Sequence, residues 1–83
     1  MPAKTIYTVP YRRLVERLRV IRESAGLSQS DLARKLAWPQ QRISAIEAGA
    51  RRVDVLEFFS LTKALGLPST AASKLVIELL EEN

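Results

Sequence analysis

The run Gly26–Gly49, GLSQSDLARKLAWPQQRISAIEAG, limits the fold more than any other part of the chain. It encodes two short helices with a tight break between them. Ser28 is a good N-cap, and Asp31 three residues on completes a capping-box pattern. A helix is therefore predicted from Gln29 to Leu36, with Leu32, Ala33 and Leu36 inward. Ala37 and Trp38 form the break. Pro39 suits the first position of the next helix, where a missing N–H costs nothing. That helix runs to Ala48 and stops at Gly49.

The flanking sequence repeats the helical period. Leu14, Leu18, Ile21 and Ala25 form one apolar stripe on a helix from Pro10 to Ala25, with Gly26 as its stop. Arg12, Arg13, Arg17 and Arg19 point mostly away from that stripe, as a solvated face does. Asp54 caps a fourth helix with Glu57 three residues on, and Gly66 closes it. Val55, Phe58, Phe59, Thr62 and Leu65 share one face of it. After Pro68, a fifth helix capped by Ser69 or Thr70 runs to about Glu82. The fold class is all-α, with five helices and short connections. Three segments follow: an N-terminal arm over 1–9, a body over 10–67 and a C-terminal helix over 68–83. The arm carries Lys4 and has three open roles: disorder, wrapping the body, or touching a polyanion.

With 83 residues the chain makes one domain. It has no cysteine and no histidine, so disulfides, thiolate metal sites and the commonest general base are excluded. There is no glycine-rich phosphate loop and no cluster of acids, so the sequence reads as a non-enzyme with no metal and no cofactor. No apolar run is long enough for a signal peptide or a membrane span, which implies a cytoplasmic protein with no membrane partner. The net charge is +4. Residues 1–66 hold 12 basic and 6 acidic side chains, and residues 67–83 hold one lysine against three glutamates. A basic body suggests a polyanion partner; a soluble protein that happens to be basic fits the charge equally well.

Placing the third helix on a wheel at about 100° per residue sharpens the choice. Ile43 and Ile46 define its buried direction. Gln41, Ser44, Ala45 and Ala48 lie opposite, flanked by Gln40 and Arg42. This outward face has no acid and no long aliphatic residue, which is unusual for a helix that only confers solubility. Small residues allow close approach to a groove, and a glutamine amide can bond adenine N6 and N7 together. The glutamines alone fit a plain polar face just as well. Glu47 flanks the buried stripe and needs a partner. Arg22 sits at a similar flanking angle on the first helix, so a structural Arg22–Glu47 ion pair is predicted.

Residues from about Leu14 to Leu67 resemble the lambda-repressor/Cro-type helix-turn-helix family, also called the XRE family. The resemblance is carried by Arg22, Gly26, Leu27, Ser28, Gln29, Leu32, Ala33, Leu36, Ile43, Ile46, Glu47, Gly49 and Leu65. It implies a compact five-helix DNA-binding domain and a sequence-specific transcriptional regulator of double-stranded DNA. By position, it implies that Gln40 and Gln41 contact bases first, and Ser44 and Ala45 further into the groove. Ser28, Gln29, Arg42, Arg51 and Arg52 match backbone-contacting positions, and Gln29 also braces the first recognition glutamine. Arg22 and Glu47 match the family's structural ion pair. Ala37 departs from the pattern, standing where a turn glycine is usual. Trp38 replaces a smaller aliphatic residue and is expected to plug the core; stacking on DNA is the other role open to it. Ala45 has only an apolar contact to offer, such as a thymine methyl.

Ala72, Leu75, Val76, Ile77, Leu79 and Leu80 spread over roughly 200° of the fifth helix, more than one core can cover. A homodimer is expected, with Leu56, Leu75, Val76, Leu79 and Leu80 at its interface; a helix sunk in its own domain is the alternative. Two recognition helices about 34 Å apart would read a pseudo-palindrome. A repressor acting without a small-molecule ligand is the leading reading. An antitoxin-like or other protein-interaction module, whose main target is a partner protein, is the alternative.

Overall fold

The computed structural model describes residues 8–81. Residues 1–7 and 82–83 lie outside the described residues, and with them Lys4 and most of the expected arm. Five helices follow one another: α1 (Val9–Ser24), α2 (Gln29–Leu36), α3 (Gln40–Glu47), α4 (Val55–Ala64) and α5 (Ser69–Leu80). Among the described residues there is no strand, and no helix is long and apolar enough to cross a membrane.

The helix starts follow their local chemistry. Both capping boxes form: the Ser28 hydroxyl accepts from Asp31 N–H, and the Asp54 carboxylate accepts from Glu57 N–H, each returned by the third residue's side chain. Two expected starts are corrected. Pro39 has ψ 142°, so it is the N-cap of α3, and Gln40 is the first helical residue. Pro68, with ψ 158°, takes the cap position of α5 in place of Ser69 or Thr70. A proline has no N–H to lose and an extended ψ suits a cap, so each proline sits one position earlier than the N1 preference suggests.

The four interhelical connections close alike. A residue with positive φ follows each helix: Gly26, Ala37, Gly49 and Gly66. The next N–H then returns to a carbonyl five residues back, as in Trp38 N–H to Ala33 O at 2.9 Å and Ala50 N–H to Ala45 O at 2.9 Å. This closure satisfies carbonyls that a helix end leaves open.

The core has two clusters. Leu32, Ala33, Ile43, Ile46 and Leu61 join α2, α3 and α4. Leu18, Phe58 and Ala72 join α1, α4 and α5. Val53 and Leu65 pack against both. The inward faces are rotated from the expected ones at three places. On α1, Val15, Leu18 and Arg22 are buried, while Ala25 is an exposed cap. On α4, Leu61 is buried and Val55 is 70 % exposed, because Val55 opens the helix at the rim of the core. On α5, Leu75 and Leu79 are buried. With Ala72 they form the stripe that packs into the domain itself, and not the outward face expected of them. Of the expected interface set, Leu56 and Leu80 are exposed and Val76 is half-buried.

Candidate nucleic-acid interface

The packing of α2 against α3 puts the starts of both helices on one surface. Ser28, Gln40 and Gln41 are exposed there; Gln29, Arg42, Ser44 and Ala45 are partly exposed. The centre of this surface is a chain of side chains that begins in the interior. Arg22 Nε donates to Glu47 Oε2 at 2.7 Å, and its Nη2 donates to Oε1 at 2.9 Å. Its Nη1 donates to the Leu27 carbonyl at 2.7 Å, so one guanidinium ties α1, the α1–α2 turn and α3. The two side chains are only 9 % and 10 % exposed. Removing either partner would strand a buried charge, at a cost of about 3–5 kcal/mol. The Glu47 carboxylate also holds the Arg22 guanidinium above its ordinary pKa, which keeps the cation permanent.

From Glu47 the chain runs outward. Gln29 Nε2 donates to Glu47 Oε1 at 2.9 Å, and Gln40 Nε2 donates to Gln29 Oε1 at 2.9 Å. The direction of these bonds is not arbitrary. An ionised carboxylate only accepts, so Gln29 must turn its NH2 group inward and its oxygen outward. That oxygen only accepts in turn, so Gln40 must offer its NH2 group. Gln40 is left with one amide N–H and its own Oε1 facing solvent. That pair is the donor and acceptor needed to meet adenine N7 and N6–H2 together.

Arg42 lies at the edge of the surface. Its guanidinium carbon is 4.7 Å from the centre of the Trp38 ring, and Nη1 is 3.9 Å from Glu57 Oε2. Trp38 is half-buried and packs against the α2–α3–α4 cluster, so it fills the core from the turn. Ala37 takes the left-handed conformation itself, with φ 57° and ψ 38°.

The two loop arginines part company. Arg51 forks onto Glu57, with Nη1 to Oε1 at 3.2 Å and Nη2 to Oε2 at 2.9 Å. The Glu57 carboxyl is held below its ordinary pKa, chiefly by this pairing. Arg51, expected to grip phosphate, has its fork on the α4 capping glutamate, which is 16 % exposed. Arg52 is exposed and has no carboxylate partner among the described residues.

Two residues that organise this surface were not singled out in the sequence. Glu57 showed only as a helix cap, yet it also holds Arg51 and lies near Arg42. Tyr11 looked like an unremarked residue of α1, yet its hydroxyl accepts from Val53 N–H at 3.1 Å and donates to Arg51 O at 3.5 Å. Its partners lie 40 and 42 residues away in sequence, so no local pattern signals the contact.

Residues 13–75 match a family model described as a helix-turn-helix domain. Among solved structures, the chain is similar to an XRE-family like protein from Pseudomonas syringae pv. tomato str. DC3000. The two share 33 % identity over 94 % of this chain and 92 % of that one, with a TM-score of 0.80. It also superposes on a variant of the restriction–modification controller protein C.Esp1396I. There the identity is 23 % over 92 % of this chain and 98 % of that one, with a TM-score of 0.77, a likeness of fold. No curated protein matches the chain.

Proposed function

The chain belongs to the XRE-type helix-turn-helix family of DNA-binding transcription regulators, and from that premise we propose that it is a sequence-specific repressor acting in the cytoplasm. The observation that carries this reading is the hydrogen-bonded chain Arg22–Glu47–Gln29–Gln40. It ends in an amide whose donor and acceptor are already oriented when no DNA is present. Such an amide reads adenine in the major groove, with Gln41, Ser44 and Ala45 contacting the bases beside it. Ser28, Gln29, Arg42 and Arg52 contact the DNA backbone. The arm, the body over 10–67 and the helix over 68–83 divide the work into an N-terminal extension, DNA binding and pairing.

The protein acts as a homodimer on a pseudo-palindrome. The exposed apolar residues Val55, Leu56, Ile77 and Leu80, with Val76, supply the surface that a second copy covers. Sedimentation of an Ile77→Glu, Leu80→Glu variant tests this, since neither residue is in the core. Loss of the dimer mass is expected, and an unchanged mass rules out this surface.

Selection of bound sequences from random DNA tests the readout. Gln40→Ala should relax the preference at one base pair, losing about 1–3 kcal/mol of discrimination. Gln29→Ala should blur the same base pair, because the Gln40 amide is then free to flip. An unchanged preferred sequence in both variants would reject the proposed contact.

A further inference from the structure

The loop that joins α3 to α4 carries Arg51, Arg52 and Val53 in a row, and the three residues have different fates. Arg51 is forked onto Glu57. Val53 packs its side chain against both core clusters. Arg52, between them, is exposed. The backbone on each side of Arg52 is held by one atom group. The Arg51 carbonyl belongs to the peptide before residue 52, and the Val53 N–H belongs to the peptide after it. The Tyr11 hydroxyl accepts from Val53 N–H at 3.1 Å and donates to Arg51 O at 3.5 Å. A hydroxyl is both donor and acceptor, so it can bracket a residue in this way; a phenyl ring cannot.

We propose that Tyr11 is a positioning residue for DNA binding, bracketing the peptide groups on either side of Arg52 so that this arginine is presented to a phosphate. The inference rests on the DNA reading above. Tyr11 itself touches no nucleic acid in this scheme. Its contribution is to fix the backbone of residue 52 against α1, so that the arginine meets its phosphate without first ordering the loop. Ordering a free residue costs about 1–2 kcal/mol of backbone entropy, so a pre-set loop is worth a measurable factor in affinity.

The test is a double-mutant cycle on a selected duplex, using Tyr11→Phe, Arg52→Ala and the double variant, each titrated against salt. Tyr11→Phe keeps the ring and removes only the hydroxyl. It should weaken binding about three- to tenfold, the range of one hydrogen bond. Its salt slope should stay near that of the wild type, because Arg52 still reaches the phosphate once the loop orders, whereas Arg52→Ala lowers the slope by about one. On the Arg52→Ala background it should do nothing further. In the free protein, hydrogen exchange at the Val53 amide should be faster in Tyr11→Phe than in the wild type. An affinity unchanged by Tyr11→Phe, or a loss that adds in full to that of Arg52→Ala, would overturn the positioning role and leave the DNA reading standing. A wild-type protein with no salt-dependent duplex binding would overturn the DNA reading and this inference together, whatever the Val53 exchange rate.

Discussion

Helix α3 is held between two connections that are built in opposite ways. The turn before it, Ala37–Pro39, is three residues long and closed by backbone. Ala37 N–H returns to Arg34 O at 3.2 Å and Trp38 N–H to Ala33 O at 2.9 Å, and the Trp38 ring plugs the core below. The loop after it, over 48–54, is more than twice as long. After its first backbone closure at Gly49 and Ala50 it is held by side chains from elsewhere, Tyr11 of α1 and Glu57 of α4. A short turn fixes the angle between α2 and α3 by its own geometry. A longer loop leaves its path open, and distant groups must choose it. The first connection sets how α3 sits on the domain; the second sets which cations flank it.

Removing Glu57 should separate the two most sharply. Glu57→Ala deletes the bonds to Arg51 and to Asp54 N–H, and the carboxylate near Arg42. A lost half capping box plus a partly buried ion pair is worth about 2 kcal/mol of stability. Urea unfolding measures the loss. Hydrogen exchange should then quicken at residues 51–54 and stay slow at Ala37 and Trp38. Equal loosening of both connections would mean that they are one unit, and the contrast drawn above would be wrong.

The same contrast explains what was legible in the sequence. The helix count, both capping boxes and the break at Ala37 and Trp38 rest on contacts within a few residues, and local patterns report such contacts. The inward face of α3 was also legible, because Ile43 and Ile46 define it alone. The faces of α1, α4 and α5 were harder. Their apolar residues cover more than one stripe, and only packing decides that Leu75 and Leu79 go inside while Ile77 and Leu80 stay out. The pairing of Arg51 was hidden for the same reason. A basic loop next to a capping glutamate looks like two separate features until the fold brings them to 2.9 Å.

Acid should act on the loop before it acts on the turn. Glu57 titrates below its ordinary value in the folded protein, chiefly because of Arg51, so its contribution is present at neutral pH and lost as pH falls. Asp31 behaves likewise at the start of α2. Hydrogen bonds from Ser28 N–H, then Arg34 and the Ser28 hydroxyl, hold it at about 2 against an ordinary 3.8. Stability should therefore be level from neutral pH to about 5 and then decline towards pH 2, with Glu57→Gln showing a shallower acid limb than the wild type. Trp38 is the one tryptophan, so its fluorescence reports on the turn. It should hold its native value through the early part of that decline, while exchange at Val53 already rises. A fluorescence change that precedes the loss of Val53 protection would reverse the proposed order.

The smallest effect lies in the turn itself and has the opposite sign. Three of the four interhelical closures place glycine at the positive-φ position, and this one places Ala37 there, at φ 57°. A Cβ in the left-handed region costs about 1 kcal/mol, and glycine avoids that cost. Glycine also gains freedom in the unfolded chain, which takes back part of the benefit. Ala37→Gly should therefore stabilise the domain by about 0.5 kcal/mol, read as a raised urea midpoint with an unchanged slope. Because the turn is closed by the same two backbone bonds in either case, the orientation of α3 should not move, and neither should the preferred DNA sequence. A stabilised variant with altered base preference would show that the strained alanine helps aim the helix, and that this connection, like the loop after it, is set for its ligand.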